Sequence, residues 1–384
     1  MTSERTYLDW NATAPLLPEA QAAIVRALDV CGNPSSVHAE GRHARAIVET
    51  AREQVAALVG AQPSEVVFTS GATEACNTVL AAPWAAIVVA GIEHDAVRQP
   101  VEAMSGARIA LGVDAQGRVD LSEVAAKVGA AVGAHGAGRV LVALQLANNE
   151  TGVLQPVTEI AAIARETGAL LFTDAAQAAG RIPVDFATLG ADFMALSAHK
   201  LGGPKGVGAL IVREGRDLPA FVRGGGQERR RRGGTENVFG IAGFGAAVEA
   251  AHKTVDGRAR IAALRDRLEA GLLDLTPDAH IMGVGAERLP NTTCIALPGY
   301  AAETLVIRFD LAGIAVSAGA ACSAGKIGVS HVLTAMGCDE TTARSAVRIS
   351  IGPTTTDREI DRCLAAWREI AAHSRALARA RTAA

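Results

Sequence analysis

The chain has 384 residues, 49% of them hydrophobic and 20% charged, with a formal net charge of −3. Such a length and balance allow two domains around a large core and exclude a disordered chain, and the charge gives no reason to expect nucleic acid or a membrane surface as a partner. No apolar run reaches the roughly 18 uninterrupted residues of a membrane span, and the start, Met1-Thr-Ser-Glu-Arg-Thr-Tyr-Leu8, lacks the basic-then-apolar pattern of a signal peptide, so a cytoplasmic protein is expected.

In chain order, Tyr7 to Pro15 reads as a short strand running into a turn, and Pro18 to Leu28 as a helix. Gly32-Asn-Pro-Ser-Ser36 is a loop dense in turn residues. Arg42 to Val59 is amphipathic and ends at Gly60, as a helix closed by a C-terminal glycine does. Strands and helices then alternate: strand Glu65–Thr69, helix Thr73–Leu80, strand Ala86–Ala90, and further apolar strands at Val140–Leu146, Ala169–Thr173, Phe193–Leu196 and Val207–Val212. Buried strands alternating with helices predict a mainly parallel sheet covered on both faces. A glycine-rich basic loop spans Gly215 to Gly234, Ile241 to Leu273 reads as a helical connector, and from Ile281 a smaller α+β unit closes with a helix from Asp357 to about Ala380.

Open parallel sheets bind ligands at the carboxyl ends of their strands, so the residues there carry the functional reading. Ser70-Gly71-Ala72-Thr73-Glu74 opens a helix after a strand, and free amides at a helix start suit a phosphate, although the same pattern is a common cap. Beyond the next strands come Glu93-His94, then Asn148-Asn149, then Asp174 and Gln177. His94 is either structural or placed to stack on an aromatic ligand, and Asp174 is either a helix cap or a ligand acid. Phe193 to Leu196 runs into Ser197-Ala198-His199-Lys200, where a lysine beyond a buried strand is well placed to be a desolvated, nucleophilic amine. Only five lysines occur, and two of them, Lys200 and Lys205, fall in this segment; Lys205 reads as part of the turn into the next strand. An acid at one strand end and a lysine at its neighbour is what pyridoxal phosphate needs: the carboxylate keeps the pyridine nitrogen protonated while the lysine takes the aldehyde carbon. The six cysteines (31, 76, 294, 322, 338, 363) show no C-x-x-C pair, against a zinc cage or disulfide framework. Cys322 differs from the others, lying in the small-residue run Val316-Ser-Ala-Gly-Ala-Ala-Cys-Ser-Ala-Gly325.

Together, Ser-Ala-His-Lys200, Asp174-Ala-Ala-Gln177, Ala147-Asn-Asn-Glu-Thr-Gly152, Ser70-Gly-Ala-Thr-Glu74, Gly32-Asn-Pro-Ser-Ser36 and Arg232-Gly-Gly-Thr-Glu-Asn237 resemble the cysteine desulfurases, pyridoxal-phosphate enzymes of the class V aminotransferase group. The resemblance runs from Tyr7 to beyond Asp361. It implies a fold type I PLP-dependent transferase, an α/β protein with a mostly parallel seven-stranded sheet between helices plus a smaller α+β domain. The large cofactor-binding domain would be residues 14–250, and residues 1–13 with 251–384 would form the small domain carrying the cysteine.

The roles implied are specific. Lys200 would hold the cofactor and move the substrate α-proton; His94 would stack on the ring and assist proton transfer. Asp174 would pair with the pyridine nitrogen and Gln177 with the ring hydroxyl. Ala72, Thr73, Ser197 and His199 would hold the phosphate, completed by Thr235 from a neighbouring subunit in a homodimer. Arg348 would grip the substrate carboxylate, with Asn149 assisting. Cys322 would attack the sulfur of bound L-cysteine, keep it as a persulfide, release alanine and serve as a transient iron–sulfur ligand through that persulfide. The sulfur would pass to an acceptor protein in iron–sulfur cluster assembly, molybdenum-cofactor sulfuration or tRNA thiolation, between which the short C-terminal tail leaves the choice open. Trp10 near the substrate entrance, Pro353, Ala320 and Ser323 depart from the pattern without removing a reacting group. A selenocysteine lyase, an ordinary aminotransferase and a catalytically quiet partner subunit are the alternatives.

Overall fold

The structure, a computed structural model, describes residues 5–254, 257–319 and 328–382. Cys322, with Ala320 and Ser323, lies outside the described residues. Thirteen strands occur among those described: β1 (Thr6–Tyr7), β2 (Val66–Thr69), β3 (Ala86–Ala90), β4 (Ala107–Leu111), β5 (Val140–Ala143), β6 (Leu170–Asp174), β7 (Phe193–Ser197), β8 (Gly208–Val212), β9 (His280–Ile281), β10 (Thr292–Ala296), β11 (Ile314–Ala315), β12 (Ser317–Ala318) and β13 (Ala346–Ser350).

Seven of them form one sheet in the order β2-β8-β7-β6-β5-β3-β4. All neighbours are parallel except β8, which runs antiparallel to both β2 and β7. The strands are apolar because both faces are covered. Along β3, Ala86, Val88 and Ala90 enter one core cluster while Ile87 enters the other, as side chains alternating across a strand must. The expected strands all form, with shifts at their ends. Val140–Leu146 pairs as a regular strand only to Ala143, yet the Leu144 and Leu146 amides still donate to Phe172 and Asp174 carbonyls at 3.0 and 2.8 Å. β4 escaped the sequence reading because Ala107-Arg-Ile-Ala-Leu111 lies at the sheet edge, with Arg108 and Ala110 exposed.

The expected helix Pro18–Leu28 forms with those bounds, and the helix read from Arg42 begins earlier, at Ala39, where the His38 side chain accepts from the Gly41 amide. The Ile241–Leu273 connector is two helices, Val238–Thr254 and Arg258–Leu275. The second packs against the final helix, Asp357–Thr382, whose fully buried Trp367 stacks on Phe309 at 6.1 Å and donates its indole N–H to Thr276 Oγ1 at 2.9 Å. Beside them lies an antiparallel sheet, β12-β13-β10-β9, with its own apolar cluster. The N-terminal strand β1 pairs with β11, and Asp9 bridges to Ser350, so the first residues of the chain are joined to this second sheet.

Candidate active site

With β8 antiparallel to both neighbours, β2 and β7 run in the same direction as β3, β5 and β6. Their carboxyl ends therefore open on one edge, where a cavity of about 580 Å³ lies. Nine of the residues singled out in the sequence line it: Ala72, Thr73, His94, Asn149, Asp174, Gln177, Ser197, His199 and Lys200.

At one end of the cavity the helix Ala72–Leu80 begins. Helix geometry leaves its first amides without intrahelical carbonyls, so this end offers donors to an anion. The approach is close: a Cβ on Gly208 would lie 2.6 Å from Gly71 Cα and 2.5 Å from the Leu196 carbonyl oxygen. Glycine at 208 is thus what lets β8 run beneath the turn. Ser197, the last residue of β7, and His199 stand on the same edge. His199 Nδ1 lies 3.2 Å from Thr13 Oγ1, and burial, followed by the charges of Lys200, Lys205 and Arg181, pushes its pKa down to about 4. It is neutral at physiological pH.

Asp174 ends β6, paired in register with Ala195 of β7, which sets it one strand from Lys200. Its Oδ1 accepts from the Ala176 amide at 2.9 Å. Burial raises its pKa, while the Ala176 amide, His94 and Lys200 act in the opposite direction. Lys200 is half-buried, and its Nζ donates to the Asn11 and Ala12 carbonyls at 2.6 and 3.0 Å. His94 caps the helix Asp95–Ala103: its Nδ1 accepts from the Ala96 amide at 3.0 Å. Burial lowers its pKa, with Asp174 opposing, so the ring is neutral and carries its proton on Nε2. Behind it Glu93, fully buried and with its pKa raised by that burial, accepts from the Gln145 amide at 2.9 Å.

Two of the sequence candidates lie apart from the cavity lining. Thr235 is exposed and lines a separate pocket with Ser70, Arg232 and Glu236. Arg348, on β13, is 3% exposed; its Nη1 donates to the Asn149 carbonyl at 3.0 Å and its Nη2 to Asp9 Oδ1 at 2.9 Å. Its Nε is buried and has no hydrogen-bond partner among the described residues. Trp10, expected at the substrate entrance, is 7% exposed and packs on Gly352, where a Cβ would fall 2.1 Å from the indole. Its bulk fills the core, which is why the position tolerates an apolar ring. Among the described residues no group of three or more His, Cys, Asp or Glu is placed to hold a metal ion, and no helix is long and apolar enough to cross a membrane.

Residues 6–363 match the family model described as aminotransferase class-V. The chain belongs to that family. It is 43% identical over 386 residues to a cysteine desulfurase of Cereibacter sphaeroides, with 97% of each protein covered. Among solved structures it is similar to a NifS-like protein from Rickettsia africae, with a TM-score of 0.88, 36% identity and coverage of 96% of this chain and 99% of that one. A cysteine desulfurase from Thermococcus onnurineus gives a TM-score of 0.84 at 26% identity, covering 97% and 96%. The family is one of pyridoxal-phosphate enzymes, and the donor set fits that cofactor: a buried acid, an amine one strand away, and helix-start amides with a hydroxyl and a neutral imidazole for a phosphate.

The sequence reading missed three groups: Asp9, which holds Arg348; Arg181, which touches both Gln177 and the Lys200 carbonyl; and Glu150, whose Oε2 accepts from Ser330 Oγ at 2.6 Å beside Asn149. None of the three carried a sequence signal of its role, because each takes that role from contacts made in the fold.

Proposed function

We propose that this chain is a cysteine desulfurase that converts L-cysteine to L-alanine and keeps the sulfur as a persulfide on Cys322. The observation that carries the reading is the meeting of Lys200, Asp174, His94 and Asn149 around one cavity. When bound, pyridoxal phosphate would supply an aldehyde carbon for an amine and an electron sink for the substrate Cα. Asp174 would hold the ring nitrogen, and Ala72, Thr73, Ser197 and His199, which line the same cavity, would hold the phosphate. Lys200 would hold the cofactor and move the substrate α-proton, while Asn149 and Arg348 would orient the substrate carboxylate. His94 would lie against the ring, with Nδ1 held by the Ala96 amide and its Nε2 proton available.

The Cys322 thiolate attacks the substrate sulfur: the S–S bond forms, the C–S bond breaks, and the bonding pair stays with the carbon fragment, which is protonated to alanine. Thr235 completes the phosphate site of a second copy in a homodimer, and the persulfide sulfur passes to an acceptor protein, with Cys322 a transient iron–sulfur ligand if the acceptor builds clusters. The reading includes a cytoplasmic location and a division into a large unit, 14–250, and a small one, 1–13 with 251–384; the separate sheets support that division, while the main apolar cluster runs on into Cys294, Ala296 and Ala346 of the second sheet. The test is alanine and sulfide release from L-cysteine with a reductant, comparing wild type with Cys322→Ala. Alanine from the wild type alone supports the desulfurase. Equal activity in both makes Cys322 dispensable and moves the reading to a lyase or aminotransferase.

A further inference from the structure

Arg181 is a charge of the site for which the family resemblance supplied no role. It stands four residues beyond Gln177, after the turn at Gly180, whose φ of +74° favours glycine. Its Nη1 donates to the Gln177 carbonyl at 2.8 Å and to Gln177 Oε1. Its Nη2 donates to the Trp10 carbonyl at 3.3 Å and reaches the Lys200 carbonyl at 3.5 Å. All four acceptors are neutral oxygens, and among the described residues no carboxylate forms an ion pair with Arg181. Burial and the facing charge of Arg348 push its pKa down to about 9. Lys200 and Lys205 stand on the same side, and His199 feels the guanidinium as well. A half-buried cation among other cations and neutral dipoles, with no ion-pair carboxylate among the described residues, is suited to an anionic ligand in the adjoining cavity.

The contact with Gln177 has a chemical consequence. The amide oxygen is taken by the guanidinium, and Nε2 donates one hydrogen to the Asn11 carbonyl at 3.0 Å. Held that way, Gln177 has a second N–H left to give to a group in the cavity it lines. Without Arg181 the amide is free to turn over and present its oxygen instead, which favours a protonated hydroxyl opposite.

We infer that Arg181 is a positioning residue for the cofactor: it fixes Gln177 as a donor to the ring oxygen of pyridoxal phosphate and, with its charge, keeps that oxygen deprotonated. The inference rests on the proposed function, in which Gln177 faces that oxygen. The test is a pH titration of the visible absorbance of the cofactor-loaded protein, for wild type, Arg181→Met and Arg181→Lys, with the thermal midpoint of each measured alongside. Losing the cation and the amide lock in Arg181→Met raises the titration midpoint by about one pH unit, a tenfold change in proton affinity. Arg181→Lys keeps the charge without the fork and gives a smaller rise in the same direction. A merely structural role lowers the thermal midpoint and leaves the titration where it is, and that result overturns the inference. If Arg181→Met does not fold, an unshifted Arg181→Lys overturns it. A wild type that takes up no pyridoxal phosphate overturns the proposed function and this inference with it, whereas a loaded wild type with unshifted variants overturns the inference alone.

Discussion

Asp9 accepts a hydrogen bond from Arg348 at 2.9 Å, although the two stand near opposite ends of the chain. The second oxygen of Asp9 accepts from Ser317 Oγ at 2.8 Å. One carboxylate therefore joins the arginine assigned to the substrate carboxylate to β12, the strand that precedes the cysteine-bearing segment.

Removing that carboxylate leaves a buried guanidinium without its counter-charge. Asp9→Ala is expected to lower unfolding free energy by roughly 3 kcal/mol, the cost of breaking a buried pair from one side. Asp9→Asn keeps the oxygen acceptor for Arg348 and loses less. Urea denaturation of the two variants beside wild type measures both, and equal midpoints for all three would show that the pair adds nothing.

Glu150 gives a pH dependence with a defined sign. Burial raises its pKa from 4.5 to about 7, with the Ser330 hydroxyl and then Arg348 opposing. A carboxyl with a folded pKa above its unfolded one contributes stability that is complete below pH 4.5 and is lost as pH rises through 7. Glu150→Gln is neutral at every pH and still accepts from Ser330. Its stability relative to wild type should therefore rise between pH 5 and 8, by on the order of 3 kcal/mol in full. Chemical denaturation at both pH values checks this; a constant difference refutes it.

His94 serves two purposes that one substitution separates. Asn caps a helix as well as His does here, so His94→Asn should keep its stability within about 1 kcal/mol of wild type. Loss of the imidazole should nevertheless slow alanine formation by roughly 10²- to 10⁴-fold, the range for a positioned acid–base group. Thermal unfolding and single-turnover alanine release are the paired measurements, and a variant that retains the wild-type rate removes His94 from the proton transfers.

The cavity was legible in the sequence because each of its elements is local. Thr69, Asp174 and Ser197 each mark the point where an apolar strand gives way to polar residues, and Lys200 follows three residues behind the last. Asp9 and Glu150 were not, since their importance comes from partners 339 and 180 residues away, which no periodicity encodes; Arg181 was not either, because its contact with Gln177, four residues back, forms only across the turn between them. The break between the helices Val238–Thr254 and Arg258–Leu275 did carry a signal, Asp256-Gly257, but the apolar pattern on both sides of it reads as one continuous helix. Arg348 was singled out through the resemblance, for its planar fork, but the acid that holds it could be found only in three dimensions.

The antiparallel insertion of β8 also has a consequence for how the chain is made. Among the described strands β2 pairs only with β8, so its partner in the main sheet leaves the ribosome about 140 residues after β2 itself. Until then the turn that begins the phosphate end of the cavity hangs on an unpaired strand. The β7–β8 hairpin, formed from neighbours in sequence, is the piece whose arrival closes the sheet, and it brings Lys200 with it. Lysine and phosphate-binding turn are thus assembled in a single late docking event of co-translational folding, so a nascent chain arrested before Val212 carries most of the cavity's residues but no finished cavity.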